Sequence, residues 1–332
     1  MSEPVGLKIV GSGIYRPREA RNSSVFDSTY GQAAGWTQGR FGIASRAVAD
    51  ETETTSVMAA MACRQALAEA GWDADFDVLI GGCAVMEQPI PGTSVLVSHE
   101  LGLGKSGIHC FDVNMTCLSF LTALDVVSLG FRAGRWRRAL IFASDIASAG
   151  LDYQHPEMSA IFGDGAAAIC VEAGDSDGPA VLSAGFKTFS AGKDLGHLKS
   201  GGTRVRIADG FEALKTGSRF HMDAFGIFKA AGKHMPALMK QVAGEAGLEL
   251  GEIDLFIPHQ ASHPALEYVR HVIGERPERV VDIFATYGNQ IAASLPTALC
   301  VARAEGRLKA GQPVMLLGTS AGVSLGVMVL RC

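Results

Sequence analysis

Three polar side chains stand where apolar runs end, and their types suit acyl chemistry. Cys117 follows the strand-like run Ile108 to Val113 and precedes Phe120, Leu121, Leu124, Val127 and Phe131, whose spacing is helical. The thiol is therefore expected at or just inside the N-terminus of a mostly buried helix, where unpaired N–H groups and the helix dipole lower a thiol's pKa. His259 follows Leu255-Phe256-Ile257-Pro258, and Asn289 follows Phe284-Ala285-Thr286-Tyr287-Gly288. In open α/β sheets, ligand-handling residues lie beyond the carboxyl ends of strands. A thiolate there attacks a thioester or similar acyl donor, while imidazole and amide hydrogen-bond a developing enolate or oxyanion. Each residue also has an ordinary alternative. Cys is often a small buried filler, His a satisfied core residue, and Asn a turn former that tolerates left-handed backbone.

The elements that would position these groups read as an α/β pattern with buried strands. Leu7 to Ile14 is expected as a strand ending in Gly11-Ser12-Gly13, which is no dinucleotide fingerprint because no helix with a third Gly follows. Thr54 to Ala70 predicts a helix with Met58, Met61, Ala62 and Leu67 on its apolar face, stopped by Gly71; Thr93 to Leu101 predicts a shorter one. Asp77 to Ile80, Arg138 to Ser144 and Ala166 to Val171 read as strands. After Pro179 come strands at Ala180 to Phe189, Asp254 to Ile257, Val280 to Phe284, Val314 to Leu317 and Val323 to Leu330. A glycine-rich loop (Gly192, Gly196, Gly201, Gly202) precedes a long helix, Phe220 to Ala246, expected to be interrupted around Pro236. Pro264 to Ile273 and Gln290 to Glu305 complete the helices.

The two halves repeat. Phe76-Asp77-Val78-Leu79-Ile80 resembles Ile253-Asp254-Leu255-Phe256-Ile257, Phe111-Asp112-Val113 matches Asp282-Ile283-Phe284, and Arg138 to Phe142 matches Pro313 to Leu317. An internal duplication, residues 1–175 and 176–332, would put Cys117 and the Tyr287-Gly288-Asn289 loop at corresponding strand ends that can meet where the halves join.

Composition bounds the function classes. The 332 residues are 48% hydrophobic and 19% charged, as expected of a large globular protein able to bury a sizeable core. The net charge of −5, without long runs of one sign, points away from nucleic acid and anionic membranes. No stretch reads as a membrane span, and Met1 to Leu7 does not read as a secretory signal. Seven cysteines without a CxxC pair argue against a disulfide framework or zinc site, so a reduced, cytoplasmic setting is expected.

The motifs Asp112-Val113-x-x-x-Cys117, Ile257-Pro258-His259-Gln260-Ala261 and Tyr287-Gly288-Asn289-x-x-Ala292-Ala293-Ser294-x-Pro296, with the Phe162-Gly163-Asp164-Gly165-Ala166 turn, resemble β-ketoacyl-acyl-carrier-protein synthase III over essentially the whole chain. That family comprises the priming condensing enzymes of the thiolase superfamily. The resemblance implies a thiolase-like five-layer αβαβα sandwich of two pseudo-duplicated halves. It implies that Cys117 takes an acyl group from acyl-CoA and that His259 and Asn289 hold the malonyl thioester carbonyl during loss of CO2. In Gly318-Thr319-Ser320-Ala321-Gly322, the N–H of Gly322 would join that of Cys117 as the oxyanion hole. Trp36 and Arg40 match the pair that handles the CoA nucleotide, with a Trp merely packed beneath an Arg as the alternative. Lys229 matches a basic residue near the carrier-binding mouth, and Ile90 a cap on the partner subunit's acyl pocket. The family is homodimeric and needs no metal or redox cofactor, CoA thioesters being substrates.

Departures from the family pattern bear on specificity. Ser262-His263-Pro264 replaces the usual Asn-x-Arg, whose Arg meets the acidic carrier protein, so a CoA-linked partner substrate becomes the rival to a carrier-linked one; His271 also stands at a commonly basic position. The aliphatic Ile90 suggests a longer or branched primer. Acyl transfer to an alcohol or amine, and a non-catalytic scaffold subunit, are the alternative functions.

Overall fold

The computed structural model describes residues 3–274 and 276–332; Met1 and Ser2, at the start of the N-terminal stretch read above, lie outside the described residues. Nine strands form one hydrogen-bonded sheet: β1 (Val5–Tyr15), β2 (Val78–Gly81), β3 (His109–Asp112), β4 (Arg138–Asp145), β5 (Gly165–Ala173), β6 (Ala180–Thr188), β7 (Leu255–Pro258), β8 (Pro313–Ser320) and β9 (Ser324–Arg331). Their order is β7-β8-β9-β6-β1-β5-β4-β2-β3. The join between β6 and β1 is slight, Val5 opposite Val181 and Gly6 opposite Ala180. On either side of it the pattern repeats. β3, β2 and β4 run parallel and are followed by antiparallel β5 and β1; β7 and β8 run parallel and are followed by antiparallel β9 and β6.

Six longer helices pack on this framework: α1 (Thr55–Ala70), α2 (Thr93–Glu100), α3 (Ser119–Arg132), α4 (Ala224–Glu245), α5 (His263–Val272) and α6 (Ser294–Ala304). Strand alternation sorts the apolar side chains into separate interiors. β4 sends Ala139, Ile141 and Ala143 toward α3 and α6, and Leu140 and Phe142 toward α1. β8 likewise sends Val314 and Leu316 toward α3 and α6, and Met315 and Leu317 toward α4. The middle interior thus holds α3 and α6 between the two halves of the sheet, with α1 and α2 outside one half and α4 and α5 outside the other. That is the expected five-layer sandwich. Among the described residues no helix is long and apolar enough to cross a membrane.

Several local expectations are corrected. β1 does not end at Gly11-Ser12-Gly13 but runs through it, because those glycines let α1 lie directly on the strand. A Cβ on Gly11 would meet the Ala66 carbonyl oxygen at 2.0 Å, and one on Gly13 the Ala62 oxygen at 2.1 Å. Met61 is 39% exposed rather than on the buried face of α1, which uses Met58, Ala62, Ala66 and Leu67. Val280 to Phe284 is not a strand: Val280 makes a single bridge to Phe256, and Phe284–Tyr287 is one turn of helix. The glycine-rich stretch after β6 contains a helix (Phe211–Gly217) and a small ribbon, Gly196–His197 against His221–Met222.

The long helix α4 is uninterrupted at Pro236. Proline has no N–H to give the carbonyl four residues earlier. Here the Tyr268 hydroxyl on α5 donates to that carbonyl, Gly232 O, at 2.7 Å, and the helix continues.

Candidate active site

Cys117 lies in a tight turn (Thr116–Leu118) that leads from β3 into α3. Thr116 has φ of +52°, a costly conformation for a β-branched residue. Three hydrogen bonds hold it. Its N–H donates to Asn114 Oδ1 at 3.0 Å, the Met115 N–H donates to Ser119 Oγ at 2.9 Å, and that hydroxyl donates to the Thr116 carbonyl at 2.6 Å.

The other half of the sandwich builds the same turn. Ile291 also has φ of +52°; its N–H donates to Asn289 Oδ1 at 2.9 Å, and the Gln290 N–H donates to Ser294 Oγ at 2.8 Å. Asn114 Nδ2 donates to the Ala84 carbonyl and Asn289 Nδ2 to that of Ala261. Asn114 therefore stands in the place of Asn289, and Ala292 in the place of Cys117. Both halves keep the amide, and only the first keeps the thiol.

Asn289 is fixed from a second side. Its N–H donates to the Ile161 carbonyl at 2.7 Å, and its carbonyl accepts from the Gly163 N–H at 3.1 Å. A Cβ on Gly163 would meet the Tyr287 carbonyl oxygen at 2.4 Å, so only glycine permits this clasp. The neighbouring Asp164 accepts from the N–H groups of Ala49 and Ser148, giving the Gly163-Asp164-Gly165 turn a structural role.

His259 follows β7, and its N–H donates to the Leu317 carbonyl at 2.8 Å. Gly318 lets this residue and the Cys117 turn approach each other: a Cβ there would lie 2.8 Å from His259 Cβ and 3.0 Å from Leu118 Cδ2. Burial pushes the imidazole down to about 4, so it is neutral at physiological pH. Gln260, buried behind it, donates to the carbonyls of Pro258 and Val281 and accepts from the Ile283 N–H. It staples the irregular 280–283 segment to β7, which explains how that segment keeps its place without being a strand.

Cys117, His259 and Asn289 all line one cavity of about 720 Å3. Its remaining wall is mostly apolar, with Leu151, Phe162, Phe220, Phe228 and Met235 prominent. The Cys117 thiol departs from the expected direction. Burial and then the Asp145 carboxylate push it up to about 12, outweighing its own N–H and that of Ala321. Ala321, not Gly322, supplies the backbone N–H that reaches the sulfur; Gly322 lies one residue further along, outside the cavity wall.

Trp36, Arg40, Lys229 and Ile90 lie outside that wall, whereas Ser262 lines it. Trp36 packs edge-on between Tyr30 and Phe41, and the exposed Arg40 sits over the Phe41 ring rather than on Trp36. Lys229 is exposed on α4 beside the cavity-lining Phe228, and Ile90 is 86% exposed on the loop after β2. Ser262 caps α5 by accepting from the Ala265 N–H, and Pro264 occupies that helix's first turn. Asp145, at the end of β4, was not singled out by sequence reasoning. It is fully buried, accepts from Ala84 N–H at 3.0 Å and Val85 N–H at 2.9 Å, and reaches Ala292 N–H at 3.0 Å. The signal available was a lone carboxylate closing an apolar strand. Among the described residues no three His, Cys, Asp or Glu side chains converge to hold a metal ion.

A five-layer sandwich with a Cys, a His and an Asn around one apolar cavity defines a thiolase-type condensing enzyme. Residues 111–190 match the family description "3-Oxoacyl-[acyl-carrier-protein (ACP)] synthase III", and residues 244–332 its C-terminal counterpart. The chain is 33% identical to the β-ketoacyl-[acyl-carrier-protein] synthase III of Bordetella petrii, with 97% of each chain covered. Its fold is similar to the crystal structures of 3-oxoacyl-(acyl carrier protein) synthase III from Pseudomonas aeruginosa PAO1 (TM-score 0.88, 28% identity, 98% of each chain) and from Aquifex aeolicus VF5 (TM-score 0.89, 26% identity, 98% of this chain and 100% of that one). The chain belongs to the β-ketoacyl-[acyl-carrier-protein] synthase III family, an acyltransferase class of condensing enzyme.

Proposed function

We propose that this protein joins an acyl-CoA primer to a malonyl thioester by decarboxylative Claisen condensation through an acyl-Cys117 intermediate. The observation that carries the proposal is the convergence of Cys117, His259 and Asn289, from the two halves (1–175 and 176–332), on one mostly apolar cavity. Cys117 sulfur attacks the thioester carbonyl and CoA leaves as its thiol. The N–H groups of Cys117 and Ala321 hold the oxyanion. The neutral His259 and the Asn289 amide then hydrogen-bond the malonyl thioester carbonyl, so that loss of CO2 leaves an enolate. Its carbon attacks the acyl-Cys and expels the thiolate, completing a ping-pong cycle. Trp36, Arg40 and Lys229 are the proposed contacts for the CoA or carrier end, and Ile90 the proposed contribution to a partner's acyl pocket in a homodimer.

A second reading, in which the extender is borne by CoA, is favoured by one specific observation: the first turn of α5 carries Pro264 where the family resemblance implies an arginine. Incubation of acyl-CoA with malonyl-CoA or with malonyl carrier protein, followed by product mass and CO2 release, tests both. A β-ketoacyl product from either extender supports condensation and identifies the carrier. Acyl transfer to an alcohol or amine without CO2 release would replace it.

A further inference from the structure

The two matching turns contain an internal comparison that assigns a role to Asp145. In the half that carries Asn289, the N–H of Ala292 points at an anion, the Asp145 carboxylate, at 3.0 Å. In the other half the equivalent N–H belongs to Cys117, and β8 ends in Ser320 where β4 ends in Asp145. The duplicated turn thus binds a built-in carboxylate on one side and carries the cavity-lining Cys117 on the other. Asp145 also accepts from the N–H groups of Ala84 and Val85. The Cys117 turn hangs from the same loop after β2, because Asn114 Nδ2 donates to the Ala84 carbonyl at 3.0 Å. One buried side chain therefore ties the Asn289 turn, the Ala84–Val85 wall of the cavity and, through Asn114, the nucleophile turn.

We propose that Asp145 is a positioning residue of this active site, a carboxylate that locks the two duplicated turns together and stands as a negative charge beside the Cys117 thiol. This rests on the condensing reading for its purpose, but its chemistry can be read without any thioester. Two thiols feel the Asp145 carboxylate, Cys117 on the turn before α3 and Cys83 on the loop after β2; burial first, and then the carboxylate, pushes both up. The N–H groups of Val85, Ala84, Ala292 and Ala293 pull the Asp145 carboxyl in the opposite direction from burial. Burial pushes Asp145 itself up to about 7, so its charge appears as pH rises through neutrality. The same rise converts thiol to thiolate, and the two ionisations oppose each other. His259, held near 4, stays neutral throughout that window.

The test is alkylation of Cys117 by iodoacetamide between pH 6 and 9, followed by intact mass with site mapping. In the unmodified protein the logarithm of the rate rises with less than unit slope around pH 7, where Asp145 ionises, and regains unit slope above pH 8. In Asp145→Asn, which keeps the shape and removes the charge, the break disappears and alkylation at pH 8.5 is about tenfold faster or more, as expected when a like charge is removed beside a thiol. A purely structural role would scale the rate by the same factor at every pH and give no break. A straight line of unit slope for the unmodified protein overturns the proposal, whether or not the variant folds. So does a folded Asp145→Asn with an unchanged rate at pH 8.5. Because alkylation needs no acyl-CoA, failure of the condensing reading would be recorded separately, as lack of product from thioesters.

Discussion

The candidate side chains are set differently: backbone groups hold the Asn289 amide on both sides, whereas the buried His259 Nδ1 meets no hydrogen-bond partner among the described residues. The His259 imidazole is neutral at working pH, and the Cys117 thiol is raised, so proton transfer must accompany attack on the thioester. Substituting His259 or Asn289 with Ala is expected to leave acylation of Cys117 measurable while cutting condensation by roughly 10²- to 10⁴-fold, read as separate loading and product assays. Burial of His259 also links stability to pH. Its folded pKa of about 4 lies below the ordinary 6.5, so the unfolded chain binds the proton first. Stability from this residue is complete above about pH 6.5 and falls as pH drops toward 4, by at most about 3 kcal/mol. Urea unfolding at pH 7 and pH 5 should show a smaller loss in His259→Asn than in the unmodified protein. Cys117, His259 and Asn289 were legible because each ends an apolar run. The sign of the thiol's shift was not, since it depends on burial and on Asp145, which is 28 residues away in sequence.

At the scale of elements, the close approaches are made by glycine and the gaps are closed by single hydroxyls. Gly318→Ala would drive a methyl into His259 and Leu118, and its expected result is loss of both loading and condensation with the fold retained by circular dichroism. The Tyr268 hydroxyl serves the carbonyl that Pro236 leaves unpaired. Tyr268→Phe should therefore cost about 1 kcal/mol or more in the unmodified background and less in Pro236→Ala, where the helix regains its own donor; a double-mutant cycle by denaturant unfolding measures the difference. Periodicity located α1, α3 and α6 within a few residues because their buried faces are long. It failed at 280–284, whose β-branched run lies beside β7 but is pinned there by Gln260 rather than by a ladder, and at Pro236, whose compensation comes from another helix.

For the whole molecule, both parts of the repeated sheet contribute to one cavity, Cys117 from the first and His259 and Asn289 from the second. Ala292 repeats the Cys117 turn without its thiol, and Asn114 repeats the Asn289 amide outside the cavity wall. The repeat was visible in the strand sequences, but Asn-x-x-Cys-x-Ser opposite Asn-x-x-Ala-x-Ser acquires meaning only once the shared φ of +52° and matching hydrogen bonds are seen. Ile90 is exposed on the loop after β2, and β3 is an edge strand of the sheet; the proposed homodimer is a separate expectation. Light scattering on the eluted protein should give twice the chain mass. If Ile90 caps a partner's pocket, Ile90→Phe should shift loading toward shorter acyl-CoAs; strong preference for acetyl in the unmodified protein would contradict the longer-primer expectation.

The assignment of Cys117 as the acyl carrier is tested most directly by intact-protein mass after incubation with acyl-CoAs of increasing chain length, alongside Cys117→Ala. The expected result is one acyl adduct per chain whose yield depends on chain length, mapped to Cys117 and absent from the variant. No adduct with any donor, or an adduct that persists in Cys117→Ala, would contradict it and bring the scaffold alternative forward.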